Sequence, residues 1–288
     1  YDDESTPARG AQLIERLVNQ DGVKLMLGPY SSGMTKAMAP VTEKYGIPMV
    51  EGNGASRSLF NKGYKYLFAV LSTSEQYLAE SINLAAQNAG KIGKKASDLK
   101  IALAMENDPF SQDIRAGVMD DAKKHGMKIV IDDKLPKELN DMTATLTKVK
   151  ALSPDVLVVS GHSKGAALAI RQIAEMKVNV PMLAMTHCEA AKVQDKFPGK
   201  SDFTLCATQW AASMAYSDKW FGTASQYADL FRKTYDGYTV VPYQAAESTA
   251  SVLVFVDAIQ RAGSADPKKV RDALAATEGL LEERTTSR

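Results

Sequence analysis

Cysteine and histidine are scarce in this chain of 288 residues, with two of the first and three of the second. Two cysteines exclude a disulfide-rich small scaffold and a four-cysteine zinc site. Three histidines leave little material for a metal enzyme. A surplus of either charge is also missing, because 35 Lys and Arg stand against 34 Asp and Glu, a formal net charge of +1. Without a basic excess, composition gives no ground for binding nucleic acid, whose phosphates must be neutralised. No apolar run reaches the ~18 residues that a membrane-spanning helix requires. Charge is scattered rather than blocked, which argues against global disorder. There is no low-complexity linker and no internal repeat. Residue 1 is Tyr, and no targeting segment is present. Such segments are removed from mature chains, so the compartment stays open.

What is present is 45% hydrophobic residues, enough for one large domain or two ordinary ones. Their spacing alternates between two periods. Helices are predicted over residues 7–19, 31–45, 72–89, 111–126, 142–151, 164–176, 223–235, 242–262 and 267–276. Strands are predicted over 23–27, 47–50, 66–70, 100–105, 127–131, 156–159, 181–185 and 203–208. Pro40 argues for a kink or an early end in the second helix. Ser72 and Glu75 have capping-box spacing, and Ser111 is the expected cap of the helix closed by Gly126. The run Val156-Leu157-Val158-Val159 is the kind buried on both faces of a parallel sheet. Such alternation means parallel sheets with helices on both faces, whose ligands bind at the carboxyl ends of the strands.

Those strand-end loops carry the candidate chemistry. Gly28-Pro29-Tyr30-Ser31-Ser32-Gly33 leads from a strand into a helix N-terminus, where unpaired N–H groups and the dipole favour an anion; an ordinary cap serine is the competing reading. Glu51-Gly52-Asn53-Gly54-Ala55-Ser56 half-matches a dinucleotide fingerprint, but Arg57 stands in place of the third glycine, so a plain tight loop competes. Gly161-His162-Ser163-Lys164-Gly165 fits a nucleophile elbow. The only later histidine is His187, 24 residues beyond Ser163, which leaves little room for the usual order of acid and then base. A loop that lines a ligand or merely turns the chain is the alternative. Thr186-His187-Cys188 ends another strand, and its histidine could meet a carboxylate or an aromatic ring. Phe110 could pack on a ligand or cap its own helix. Cys188 and Cys206 could bridge or stay as buried thiols. Trp210 and Trp220 suit either core or pocket rim.

Taken in order, Tyr1-Asp2-Asp3-Glu4-Ser5-Thr6-Pro7, Leu27-Gly28-Pro29-Tyr30-Ser31-Ser32 and Tyr45-Gly46-Ile47-Pro48-Met49-Val50 resemble the leucine/isoleucine/valine-type solute-binding proteins of bacterial ABC importers. Lys62-Gly63-Tyr64-Lys65-Tyr66-Leu67-Phe68, the loop ending at Phe110 and the strand at 155–159 continue the likeness over nearly the whole chain. The resemblance implies an α/β fold of type I periplasmic-binding-protein architecture: two doubly wound, Rossmann-like lobes joined by hinge crossovers, with a ligand in the cleft. The lobes would be 1–72 plus 210–278 and 73–209, with a tail at 279–288 and crossovers near 71–74 and 208–210. Both ends look truncated against the family.

Carried over residue by residue, Ser31 or Ser32 matches the serine that holds a ligand carboxylate. Asn53, Gly54, Ala55 and Ser56 match the second loop of that clamp. Phe110 falls where amino-acid binders carry a tyrosine. Thr186, with His187 beside it, falls near the acidic residue that holds a ligand ammonium. Without an acid there, either Glu189 or Glu247 substitutes or the ligand lacks an amino group. Phe110, His162, His187, Trp210 and Tyr243 would suit an aromatic acid, and Phe110, His162, Ser163, Thr186 and His187 would close over the ligand body from the second lobe.

The expected protein is therefore a non-enzymatic, monomeric, periplasmic or lipid-anchored receptor. It would deliver an organic acid or amino acid to an ABC permease, and no cofactor, metal or nucleic acid is expected. An α/β hydrolase using Ser163, or a ligand sensor on the same fold, is the alternative.

Overall fold

Proline starts the first helix and methionine packs it. In the computed structural model, which describes residues 1–137, 139–189, 193 and 196–277, α1 (Pro7–Asn19) begins with its proline in the first turn, where no N–H is needed. Gly10 leaves room for the methyl groups of Met34 and Met38 on α2 (Ser32–Tyr45). Both helices cover one face of a parallel sheet ordered β1 (Met26–Leu27), β2 (Met49–Glu51), β3 (Leu67–Ala69). Ile14, Met26, Met34, Met38, Met49 and Leu59 form that core. A short α3 (Arg57–Phe60) lies between β2 and β3.

The chain groups by contact into two units, Tyr1–Leu71 with the described part of 244–288, and Ser72–Tyr243. Residues 210–243, expected with the first lobe, group with the second unit. The tail expected at 279–288 lies outside the described residues.

The second unit runs α4 (Ala79–Asn88), β4 (Lys100–Glu106), α5 (Pro109–Lys124), β5 (Lys128–Leu135), α6 (Thr143–Leu152), β6 (Val156–Ser160), α7 (Ser163–Glu175), β7 (Met182–Thr186) and β8 (Leu205–Ala207). Its sheet is parallel throughout, in the order β5-β4-β6-β7-β8. All five residues of β6 are buried, as a central strand covered on both faces must be. Leu146, Val149, Leu157, Ala169 and Ile170 fill one side. After β8 a two-strand antiparallel ladder, β9 (Ser217–Asp218) with β10 (Gly222–Thr223), precedes α8 (Ala224–Thr234). The last helices are α9 (Tyr243–Ala262) and α10 (Pro267–Ala275). In the first unit Phe255, Ala258, Val270 and Leu274 pack with Val50.

Several local expectations are corrected. Asp108, not Ser111, caps α5, its carboxylate accepting from the N–H groups of Phe110 (2.8 Å) and Ser111 (3.2 Å). The box expected from Ser72 and Glu75 does not form: Thr73 Oγ1 donates to Glu75 (2.6 Å), and a 3-10 turn, Ser74–Gln76, precedes α4. Residues 23–25 fall outside β1, which has two residues. The helix continues through Pro40, which faces solvent, to Tyr45.

Cys188 and Cys206 are bridged, with Cα atoms 5.6 Å apart. The bridge ties the loop after β7 to β8, a closure of 18 positions. A loop of this length restricts the unfolded chain by ~3 kcal/mol. The double change Cys188→Ser, Cys206→Ser is expected to lower stability by about that amount in denaturant titrations. A midpoint equal to the parent's would show that the bridge restrains nothing.

Candidate functional site

Strand order decides where the second unit is open to a ligand. β4 has β5 on one side and β6 on the other, so the loops leaving β4 and β6 diverge, the place where a sheet of this kind takes its ligands. Phe110 comes from the start of α5, His162 from the residue before α7 and His187 from the residue after β7. The Phe110 ring lies 5.8 Å from each histidine ring, stacked on His162 and edge-on to His187. The histidine rings are 5.6 Å apart. Tyr77 meets Phe110 edge-on at 5.3 Å, and Tyr243 lies 6.4 Å from His187.

Backbone fixes this group in place. His187 has a left-handed φ of 60°, uncommon for a residue with a side chain. Just before it, Thr186 Oγ1 donates to the Gly161 carbonyl (2.8 Å) and accepts the Gly161 N–H (3.2 Å), joining the ends of β6 and β7. Thr186 is thus 2% exposed and engaged with the neighbouring loop.

Electrostatics make the group neutral. Burial, assisted by His162, pushes His187 down to about 3. Burial also lowers His162, against the pull of Asp108. Both rings are uncharged at neutral pH and offer an aromatic wall without a cation for a carboxylate.

The two glycines of Gly161-His162-Ser163-Lys164-Gly165 have a different purpose from a nucleophile elbow. A Cβ at Gly161 would stand 2.8 Å from Glu106 Cδ, and one at Gly165 3.0 Å from Glu106 Oε1. The glycines therefore make room for the buried Glu106, which accepts the His162 N–H at 3.3 Å. Ser163 is exposed and opens α7. It is not among the residues with positive φ, so the strained geometry of an elbow is missing. Trp210 meets Tyr227 edge-on at 5.5 Å, in an aromatic chain that continues through Phe231 and Tyr235.

Glu106, Asp108 and His162 bring possible metal-ligand atoms within 4.8 Å of one another. Asp108 already accepts two helix N–H groups and the Ser111 hydroxyl (3.0 Å), so this cluster reads first as a cap network. Cys188, Glu189 and Cys206 form a second such group, but its sulfurs are bonded to each other.

In the first unit the expected clamp residues come together. Ser31 caps α2 with φ 89°, its Oγ facing the Met34 N–H at 3.4 Å. Ser32 is buried and accepts the Ser56 N–H at 2.9 Å. The N–H groups of Asn53 and Gly54, however, point at Glu51 Oε1 (2.9 and 2.7 Å), and Thr35 Oγ1 donates to Oε2 (2.9 Å). Ala55 and Ser56 are buried. The chain thus presents its own carboxylate to these donors, a role that reading the loop as a glycine turn did not reveal. Gly28 is glycine for the same reason, since a Cβ there would overlap the Glu51 carboxylate.

Comparison with known proteins places the chain in context. The family model described as periplasmic binding protein matches residues 1–282. A Leu/Ile/Val-binding protein homologue of Brucella abortus is 27% identical over 161 residues, 56% of this chain and 40% of that protein. The chain's match thus spans well under half the length of that relative. The leucine-, isoleucine-, valine-, threonine- and alanine-binding protein of Pseudomonas aeruginosa is 24% identical over 96% of this chain and 70% of its own. Among solved structures, a leucine binding protein from Thermotoga maritima matches with TM-score 0.83 and 18% identity, over 97% of this chain and 76% of that one. An ABC-transporter solute binding protein from R. palustris in complex with benzoate matches with TM-score 0.80 and 16% identity, over 96% and 73%.

Proposed function

The chain belongs to the periplasmic binding protein family, with the type I fold of that family, and from that premise we propose that it is an extracytoplasmic solute receptor of an ABC importer. Its ligand is a small organic acid or amino acid with an apolar or aromatic body. The observation that carries this reading is the uncharged group of Phe110, His162 and His187 at the carboxyl ends of β4, β6 and β7, where a parallel sheet takes its ligands. Aromatic faces of this kind receive a planar or branched body through apolar contact. Within the first unit, the carboxylate is assigned to the start of α2, where Ser31 and the first-turn N–H groups favour an anion. Relatives that bind branched-chain amino acids and one that binds benzoate support both ligand types. Delivery to a permease follows from the same family membership.

The test is a thermal-shift screen of the chain with leucine, isoleucine, phenylalanine, benzoate and 4-hydroxybenzoate. A ligand at ~100 times its Kd stabilises the folded state by ~2.7 kcal/mol. Ser31→Ala is expected to weaken the best ligand about tenfold, ~1.4 kcal/mol, in addition to the ~1 kcal/mol of ligand-free stability that loss of the α2 cap costs. Unchanged affinity would remove the carboxylate assignment, and no shift with any compound would remove the receptor reading.

A further inference from the structure

We propose that the cavity at the carboxyl end of β8 seats an uncharged hydroxyl or carboxamide group of the solute, which makes the receptor selective for acids whose apolar or aromatic body carries a neutral polar substituent. The inference rests on the receptor reading above and deepens it. The cavity measures about 280 Å³ and is lined by Ser72, Gln76, Tyr77, Ala207, Thr208 and Gln209. All six belong to the second unit. At about 30 Å³ for each water molecule, the space admits a substituent of a few atoms.

Two contacts join this cavity to the aromatic group. Tyr77 serves both: its ring meets Phe110 edge-on at 5.3 Å, and its hydroxyl accepts from the side-chain amide of Gln209. On the other side, Ala207 is the register partner of Thr186 across the β7–β8 pair, and paired strands lie about 4.8 Å apart. His187 follows Thr186 directly, so its backbone stands beside the cavity lining. A solute body resting on Phe110 and His187 therefore has the cavity at its edge.

The lining decides what enters. None of the six side chains carries a charge, so a carboxylate or an ammonium would lose its water there without gaining a counter-ion. An apolar group would strip water from the amides and hydroxyls and give nothing back. A group that both donates and accepts suits the lining, because each glutamine amide does the same. The lining is also held in place before a solute arrives. Gln209 Oε1 accepts the Ser72 N–H (2.6 Å), and its Nε2 donates to the Tyr77 hydroxyl. Used once at each end among the described residues, this amide keeps a second N–H and a second lone pair for a guest. Gln76 Nε2 donates to Thr73 Oγ1 (3.2 Å). Thr208 Oγ1 donates to the Trp210 carbonyl (2.8 Å), and its lone pairs remain as acceptors.

The experiment is calorimetric titration of the full chain with matched compounds: benzoate against 4-hydroxybenzoate and 4-carbamoylbenzoate, and phenylalanine against tyrosine. The compound with the neutral polar group is expected to bind at least tenfold more tightly than its plain counterpart. Terephthalate and 4-(aminomethyl)benzoate, which place a negative and a positive charge at the same position, should gain nothing over benzoate. The ratio within a pair is the readout. It should fall below about threefold in Tyr77→Phe, which keeps the ring against Phe110, and in Gln209→Leu. If Gln209→Leu does not fold, Tyr77→Phe decides. A ratio near one in the unaltered chain, a ratio that survives Tyr77→Phe, or an equal gain with a charged analogue overturns the subsite. If a compound of the screen above binds and no hydroxyl or carboxamide adds affinity, the subsite falls and the receptor reading stands. If nothing binds, both fall.

Discussion

Raising the pH from about 6.5 to about 9 is expected to cost the ligand-free chain about 5 kcal/mol of stability, with Glu247→Gln retaining most of it. Glu51 and Glu189 are held up to about 7 and Glu247 to about 9, all above an ordinary 4.5, chiefly because burial disfavours the charged form. The folded state then binds more protons than the unfolded chain. That contribution is complete below about 4.5 and is lost as the pH rises through the two folded values. The histidines act with the opposite sign. His187 is held down to about 3 from 6.5, so its contribution is present above 6.5 and disappears as the pH falls toward 3. His162 is lowered in the same direction. Between about 4.5 and 6.5 the imidazoles gain stability as the pH rises and offset part of what the carboxyls lose. Urea titrations at pH 5.5, 7 and 9 measure the alkaline limb. A flat profile, or an equal slope in Glu247→Gln, would mean that these carboxyls ionise freely in the folded chain.

The alternation of periods was enough to read the architecture, because a buried strand such as Val156–Ser160 and an amphipathic helix such as Pro7–Asn19 announce themselves in local composition. Caps were less legible. Asp108 and Ser111 both suit a helix start, and only the position of Pro109 in the first turn decides for Asp108. The candidate site was legible in its aromatic half, since Phe110, His162 and His187 all follow strands of one sheet. It was poorly legible in the first unit. Whether Asn53 and Gly54 offer their N–H groups to a ligand or to Glu51 depends on where a side chain two or three residues away folds back. Glycine spacing has the same weakness: Gly161 and Gly165 fit a catalytic motif, but what they accommodate is Glu106, far away in sequence.

Gly117→Ala is expected to be among the most damaging single changes in the second unit, costing about 4 kcal/mol or more. Alanine is ordinarily the better helix former by ~1 kcal/mol, so propensity alone predicts a gain in the middle of α5. Packing reverses the sign. Gly117 is buried, and a Cβ on it would overlap the carbonyl oxygen of Glu75, with the carbonyl carbon at 2.8 Å and Cα at 3.0 Å. These are backbone atoms, so no rotamer change relieves the clash. The 3-10 turn Ser74–Gln76 would have to move away from α5. That turn is itself built in, with Ser74 buried and Thr73 donating to Glu75. Moving it would also disturb Tyr77, which meets the Phe110 ring, so ligand affinity should fall along with stability. Gly90 is the control: a Cβ there meets nothing within 4 Å, and its φ is not positive. Gly90→Ala should therefore melt at or slightly above the parent temperature. Equal melting temperatures for Gly117→Ala and Gly90→Ala would mean that α5 and the turn are not in contact in solution.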